Sequence, residues 1–239
     1  AIVSDTEADY FALTANMSLG NDISLSPFVL IDKTDGALST ETARSIYYIG
    51  TDFDMKMGST SMYATLAFKT GETETGSPAV TTDQEAYALI AGVDTGMIHG
   101  KVMYATGDDT STDENEDFKG LSGQSHYWAE IMGYGMFDID YSANSCGDKI
   151  SNITAANIGI TMKPMNKLTV SADLWYAQLT EDNGGDGDLG VEVDLKATYE
   201  INDRLKLDAV AAYQAAGDGV AGSDSEDPTE IGTQLSFSF

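Results

Sequence analysis

Two histidines, one cysteine and an abundance of carboxylates are the residues of this chain that could do chemistry. His126 lies close to Ser122 and Ser125, the residue types of a hydroxyl nucleophile and its base. No G-x-S-x-G turn or comparable scaffold surrounds them, so no catalytic residue is expected. His99 stands on a different segment, and neither histidine falls in a Cys or His ligand pattern. His99 is read as a polar side chain facing water. Cys146 has no second cysteine to pair with and is read as an unpaired loop thiol. Asp108, Asp109, Asp113, Glu114, Glu116 and Asp117 could offer calcium or magnesium several oxygens. They lack the D-x-[DN]-x-[DN]-G order of a calcium loop, so a solvated acidic loop is the plainer reading and no other cofactor is expected. There is no Gly-rich phosphate cradle and no dinucleotide-binding pattern.

Whatever these residues do, the elements that carry them must first be found. The 239 residues include 39 Asp and Glu against 12 Lys and Arg, a formal net charge of -27. Nucleic acid is excluded as a partner by that balance, because phosphate binding needs clustered cations. Apolar runs such as "FVLI" and "YALIAGV" are far shorter than the roughly 18 to 20 residues of a membrane helix. From Ala1 onward no basic region precedes an apolar core, so this sequence is expected to carry no signal peptide, one having been either removed or never there. The acidity fits a salt-adapted soluble protein, a calcium-loaded extracellular protein, or an outer-membrane barrel with acidic loops.

Alternation decides the class. Strands are expected at "YFALTANMSL", "ISLSPFVLI", "SIYYIGTDFDM", "SMYATLAFK", "EAYALIAGV", "IHGKVMYAT", "NITAANIGITM", "LTVSADLWYAQL", "VEVDLKATY", "LKLDAVAAYQA" and the terminal "EIGTQLSFSF". Short turns at Gly20 to Asp22, Gly58, Thr95-Gly96, "KPMN" and "INDR" alternate with longer acidic connections. Glu72, Glu74 and Asp83 are assigned to one such loop. Others hold Asp108 to Asp117, Glu181 to Asp188, and Asp218 to Asp227. Segregated short turns and long loops are the pattern of a membrane barrel. Aromatics on the apolar parity fall at two levels. Phe11, Tyr47, Phe68, Tyr87, Tyr104, Tyr176 and Tyr213 lie toward the long loops, and Phe53, Tyr199 and Phe239 toward the other rim, like interfacial girdles.

The opposite parity is then a wet lumen. It carries Asp52, Asp54, Lys69, Asp94, Lys101, Asp173, Glu192, Asp194, Lys196, Lys206 and Asp208, expected as an electrostatic filter. With Thr95-Gly96 as a two-residue turn, Tyr87 pairs with Tyr104 and Leu89 with Val102. A turn at Ile201 to Asp203 pairs Tyr199 with Leu205 and sets Lys196 opposite Asp208. The connection 107–151 is too long and too apolar in its middle to float in water. It either folds into the lumen as a constriction, with Tyr127, Trp128, Ile131, Met132 and Phe137 against the wall, or caps the loops from outside.

Eleven strands make an odd number of crossings, whereas closed bacterial barrels normally have an even number. The chain is therefore expected to be one domain over 1–239, the C-terminal part of a larger transmembrane β-barrel that lacks an odd number of strands.

The ending Glu230-x-Gly232-x-x-Leu235-x-Phe237 with terminal Phe239 resembles the signal read by the barrel-assembly machinery of Gram-negative outer membranes. More loosely, "ANIGITMKPMNKLTVSADLWYAQL" through "LGVEVDLKATYEINDRLKLDAVAAYQAAGDG" to "DPTEIGTQLSF" resembles the alginate-export-like porin family over about the last third of the chain. The resemblance implies an outer-membrane barrel with loops entering the lumen. That family's exporters line their channel with Arg, and this chain has Arg only at Arg44 and Arg204, so polyanion export is not expected. The expectation is a cation-preferring porin for small hydrophilic solutes, meeting lipid and lipopolysaccharide and acting as no enzyme. Two other readings stay open. One is a structural or interaction barrel whose acidic loops bind divalent ions, surface polysaccharide or a partner protein. The other is a soluble acidic β protein.

Overall fold

A computed structural model describes residues 7–35, 43–76, 79–120, 125–137, 149–220 and 227–239. Cys146, Ser122 and the loop acids Asp224 and Glu226 lie outside them. The described residues form twelve β-strands in one antiparallel sheet and no helix. These are β1 (Glu7–Thr14), β2 (Met17–Ser18), β3 (Ile23–Asp35), β4 (Ala43–Met57), β5 (Thr60–Thr75), β6 (Val80–Asp94), β7 (Ile98–Ala105), β8 (Ile153–Met165), β9 (Leu168–Gln178), β10 (Asp188–Asn202), β11 (Leu205–Ala216) and β12 (Thr229–Phe237). Each pairs with its neighbour in sequence, except that β1 and β2 both pair with β3. The sheet does not close; β1 and β12 are its edges. Eleven strands separate into alternating directions along the path β1-β3-…-β12, so the two edge strands run parallel to each other.

The expected first strand is divided at Ala15-Asn16, and the cause lies across the ladder. The registers Thr14↔Phe28 and Met17↔Leu25 put Ala15 opposite Pro27. Ala15 N–H donates to the Pro27 carbonyl at 3.0 Å, but proline has no N–H to return the bond. Two register expectations also shift by two residues. The β6–β7 turn is Gly96-Met97, with Asp94↔His99, so Leu89 faces Tyr104 and Ala91 faces Val102. Gly96 has φ of 87°, the conformation such a tight turn requires, and its N–H is held by Asp94 Oδ1 at 2.5 Å. At β10–β11 an irregularity between Glu200 and Asn202 leaves Asp203-Arg204 as the turn. Tyr199 then faces Leu207 and Lys196 faces Val210, so Lys196 does not meet Asp208. A shift of two preserves which face each side chain takes.

Glu72, Glu74 and Asp83 are not loop residues. β5 and β6 run on as a long hairpin whose last pair is Thr75↔Val80, so these acids sit in strands. The upper edge of β6, beyond the end of β7, is covered by Asn115, whose N–H donates to the Asp83 carbonyl and whose carbonyl accepts from Glu85 N–H. One donor and one acceptor of that strand edge are thereby paired.

The two faces of the sheet differ completely. One carries Phe68, Ile158, Leu195 and Leu235, exposed to 50, 60, 51 and 62%. The other carries Lys69, Glu192 and Asp194, exposed to 5, 0 and 1%. Burial thus falls on the polar face, which also carries the apolar cluster of Ile46, Tyr48, Met103, Ile153 and Trp175. That face is concave: one cavity is lined by residues of β5 through β10, strands whose axes would span roughly 24 Å on a flat sheet. Val in place of Pro27 restores a donor opposite Ala15. Pro27→Val is expected to join β1 to β2 and stabilise the edge by about 1 kcal/mol, read as slow amide exchange at position 27. Fast exchange there would reject this account of the break.

Candidate functional site

The concave face owes its charge to strand periodicity. Asp52 and Asp54 on β4, Lys69 on β5, Asp94 on β6, Lys101 on β7, Asp173 on β9, Glu192, Asp194 and Lys196 on β10, and Lys206 and Asp208 on β11 all take the polar side of their strands. They divide into three groups. Asp52 accepts from Thr65 Oγ1 at 2.6 Å and Asp208 from Thr198 Oγ1 at 2.6 Å, across neighbouring strands. Asp54 and Lys206 are exposed near the short-turn rim, and Asp94 caps its own turn. Of the rest, Lys69, Glu192, Asp194 and Lys196 meet the long connection after β7, whereas Asp173 bonds to His99 and Asn157 and Lys101 rests over Trp175.

That connection lies on the polar face in two places. Near β4 to β6, Tyr48 Oη donates to the Lys119 carbonyl at 2.7 Å, and Phe118 stands edge-on to Tyr48 with ring centroids 6.2 Å apart. Lys69 Nζ donates to the Asp117 carbonyl and to Gln84 Oε1, both at 2.9 Å. Near β9 to β12, residues 128–133 are buried. Both Glu192 carboxylate oxygens accept backbone N–H groups, from Ile131 at 2.7 Å and Met132 at 2.8 Å. Asp194 Oδ2 accepts Glu130 N–H at 3.3 Å. Lys196 forms an ion pair with Glu130, whose other oxygen accepts Met136 N–H at 2.8 Å. Charge-assisted bonds of this kind are the strong ones in a dry setting.

A column of three alternate residues on β10 therefore seats the segment. Its apolar side chains complete the fit. Trp128 meets Trp175 edge-on at 5.2 Å, and Ile131 and Met132 are fully buried. The Phe137 ring lies where a Cβ at Gly232 would stand. Gly232, expected as part of a terminal assembly signal, thus also makes room for the segment. Tyr127 differs from its neighbours and is 46% exposed. The rest of the terminal signal faces away: Leu235, Phe237 and Phe239 are exposed, with Phe237 and Phe239 stacked 6.3 Å apart.

The six acids of the connection do not converge. Asp108 Oδ1 accepts Glu116 N–H, Asp109 Oδ1 accepts Ser111 N–H at 2.8 Å, and Glu116 takes Thr112 Oγ1. Asp117 accepts Ser151 Oγ at 2.6 Å and pairs with Lys119 at 2.8 Å, while Asp113 and Glu114 are exposed. Among the described residues no three His, Cys, Asp or Glu side chains come together as a metal ion would need. Bonds from Ser111, side chain and then backbone, hold the Asp109 carboxyl below its usual range. The Tyr213 hydroxyl and the Ala216 N–H do the same for Asp227. Burial, and then the charge of Lys101, lowers His126, whose buried Nε2 makes no hydrogen bond.

Sequence reasoning missed Glu130 and Asn157. Glu130 reads as one more loop acid, and nothing local marks it as the partner of Lys196. Asn157 Nδ2 donates to Asp173 Oδ1 at 2.7 Å, beside His99 Nε2 at 2.7 Å on the same oxygen. The alternation of "NITAANIGITM" puts Asn157 on the polar side and could have found it. No protein-family model matches the sequence, and no curated protein is significantly similar to it.

Glu192→Ala would leave two buried N–H groups without acceptors, at a cost of about 2 kcal/mol each. Amide exchange of Ile131 and Met132 is expected to accelerate at least about tenfold, with β9–β10 exchange unchanged. Equal protection in the variant would show that the segment is held otherwise. Gly232→Val is expected to displace Phe137 and raise its solvent exposure, read by hydroxyl-radical labelling of that ring.

Proposed function

We propose that this chain is part of an outer-membrane β-barrel of a Gram-negative bacterium and works as a porin for small hydrophilic solutes. One observation carries the reading: the charged face of the sheet is buried and the aliphatic, aromatic face is exposed. In water that arrangement would leave a continuous apolar surface far beyond what monomeric soluble proteins tolerate. In lipid it is the required polarity. Exposed Phe11, Phe68, Tyr87, Tyr176 and Tyr213 toward one rim, and Tyr199 and Phe239 toward the other, suit interfacial girdles. The terminal Phe pattern and the loose likeness to alginate-export-like porins agree with this fold and supply no substrate.

An open edge in lipid costs several kcal/mol for each unpaired group. Because β1 and β12 run parallel, antiparallel closure needs an odd number of further strands between them. A second copy in the same membrane orientation offers only parallel edges, so the reading places those strands upstream in the chain or in a different partner.

Selectivity follows from what the concave face leaves uncovered. Glu192, Asp194, Lys69 and Lys196 are engaged with the infolded connection. Asp52, Asp54, Asp94, Asp173 and Asp208 remain against Lys101 and Lys206, which favours cations. The segment 125–137 supports a second reading, a barrel whose lumen is closed and whose loops do the work.

Planar-bilayer recording separates the two. An open conductance whose reversal potential in a salt gradient follows the cation supports the porin; an anion preference rejects the filter, and negligible conductance favours the closed barrel. Leu195→Arg tests the lipid-facing assignment. In a bilayer it is expected to cost about 2 to 4 kcal/mol of folding stability, measured by denaturant titration from liposomes; a cost under about 0.5 kcal/mol, as for an ordinary soluble surface, would refute it.

A further inference from the structure

Between the seated segment and the wall of β7 to β10 lies a cavity of about 280 Å³. Lys101, His99, Asn157, Asp173, Trp128 and Trp175 are among its lining residues. Two of them have unused bonding capacity. Lys101 Nζ makes no hydrogen bond or ion pair with any described residue and rests over the Trp175 ring, 6.0 Å from its centroid. It is only part-exposed, so water solvates it incompletely. Asp173 uses one oxygen, Oδ1, for both His99 and Asn157. Its Oδ2 takes no hydrogen bond from a described residue. An ammonium with donors to spare and a carboxylate oxygen with acceptor capacity to spare thus face one small space without pairing within 4 Å. By contrast, Lys69, Lys196 and Glu192 on the same face are all engaged, and Asp194, which also lines the cavity, keeps only its buried Oδ1 unbonded.

We propose that this cavity binds a neutral polyol of about one sugar ring, one hydroxyl accepting from Lys101 and an adjacent hydroxyl donating to Asp173 Oδ2. Three features support that class. A simple cation is drawn to Asp94, Asp173 and Asp194 but repelled by Lys101 and Lys196, and a simple anion the reverse, whereas a hydroxyl both donates and accepts. The volume lies at or below the roughly 300 to 1,000 Å³ of sites for drug-sized ligands, which limits the occupant to a single ring. The two indoles give the C–H edges of such a ring an apolar border. A zwitterionic amino acid would match the same two charges. It would do so through two full ion pairs, and a permeant solute must leave as readily as it enters. Hydrogen bonds meet that condition better. The role of the cavity as a constriction rests on the channel reading, but binding is measured without transport.

The experiment uses the only two tryptophans of the chain, Trp128 and Trp175, both of which line the cavity. Glucose, glycine and sodium acetate are titrated separately into the folded wild-type protein while intrinsic fluorescence is recorded. A saturable change with glucose is expected, with weaker or no response to glycine and acetate. In Lys101→Met, which keeps the stem over Trp175, and in Asp173→Asn, the half-saturating glucose concentration is expected to rise roughly tenfold, the loss of one charge-assisted bond. Lys101→Arg should restore most of it. No response to glucose in wild type, or an unchanged midpoint in both variants, overturns the proposal. A stronger response to glycine overturns the ligand class. Should the protein bind glucose yet pass no current, the channel reading fails and this site stands.

Discussion

The structure depends on keeping a dry, charged face satisfied. A strand commits each side chain to one of two faces, and here most of the charge, including Lys69, Glu192 and Asp194, goes to the face that becomes buried. An ionised carboxylate taken from water costs several kcal/mol unless donors replace the water. β10 meets that demand with backbone rather than with cations. Glu192 is solvated through both oxygens by the N–H groups of Ile131 and Met132, and Asp194 takes that of Glu130 on one oxygen; as a non-strand segment these residues have donors available. The exchange is mutual, since an irregular segment buried at that depth would otherwise carry orphan N–H groups.

This mutual dependence explains why the long connection lies on the sheet. Its apolar residues alone would fill space, but Trp128, Ile131 and Met132 are placed by polar contacts on either side of them. Residues 115–119 follow the same logic over β4 to β6, where Lys69 and Tyr48 supply the donors. The chain that departs from β7 therefore finishes the interior that the strands begin. Around Lys101 and Asp173 bonding capacity is left over, and an unfilled cavity is found there.

The outward face imposes the complementary constraint. Long hairpins such as β5–β6, at 16 and 15 residues, exceed the roughly 9 to 11 residues that a tilted membrane strand requires. Their upper parts bear Glu72, Glu74 and Asp83. Polarity along one strand changes with height, so a sequence run rich in acid can still be a strand. The assignment of those acids to a loop failed for this reason: composition was taken for secondary structure, whereas the ladder continues as long as a partner strand runs beside it.

Period-two alternation is a local property, and from it the sequence by itself determined the strands, their facing and the all-β class. The parity of Glu192, Asp194, Lys196 and Lys101 needed nothing beyond that count. Pro27 also announces its effect, although its consequence at Ala15 depends on register. Register, partnership and the path of the long connection were decided only in three dimensions. Turns displaced by one residue moved Tyr104 from Tyr87 to Leu89 without altering any face, because a shift of two is invisible to alternation. Glu130 finds Lys196 across 66 positions of sequence, and Phe137 finds the bare backbone of Gly232 across 95. Such contacts follow from the curvature of the whole sheet and the room left inside it, which no window of neighbouring residues contains.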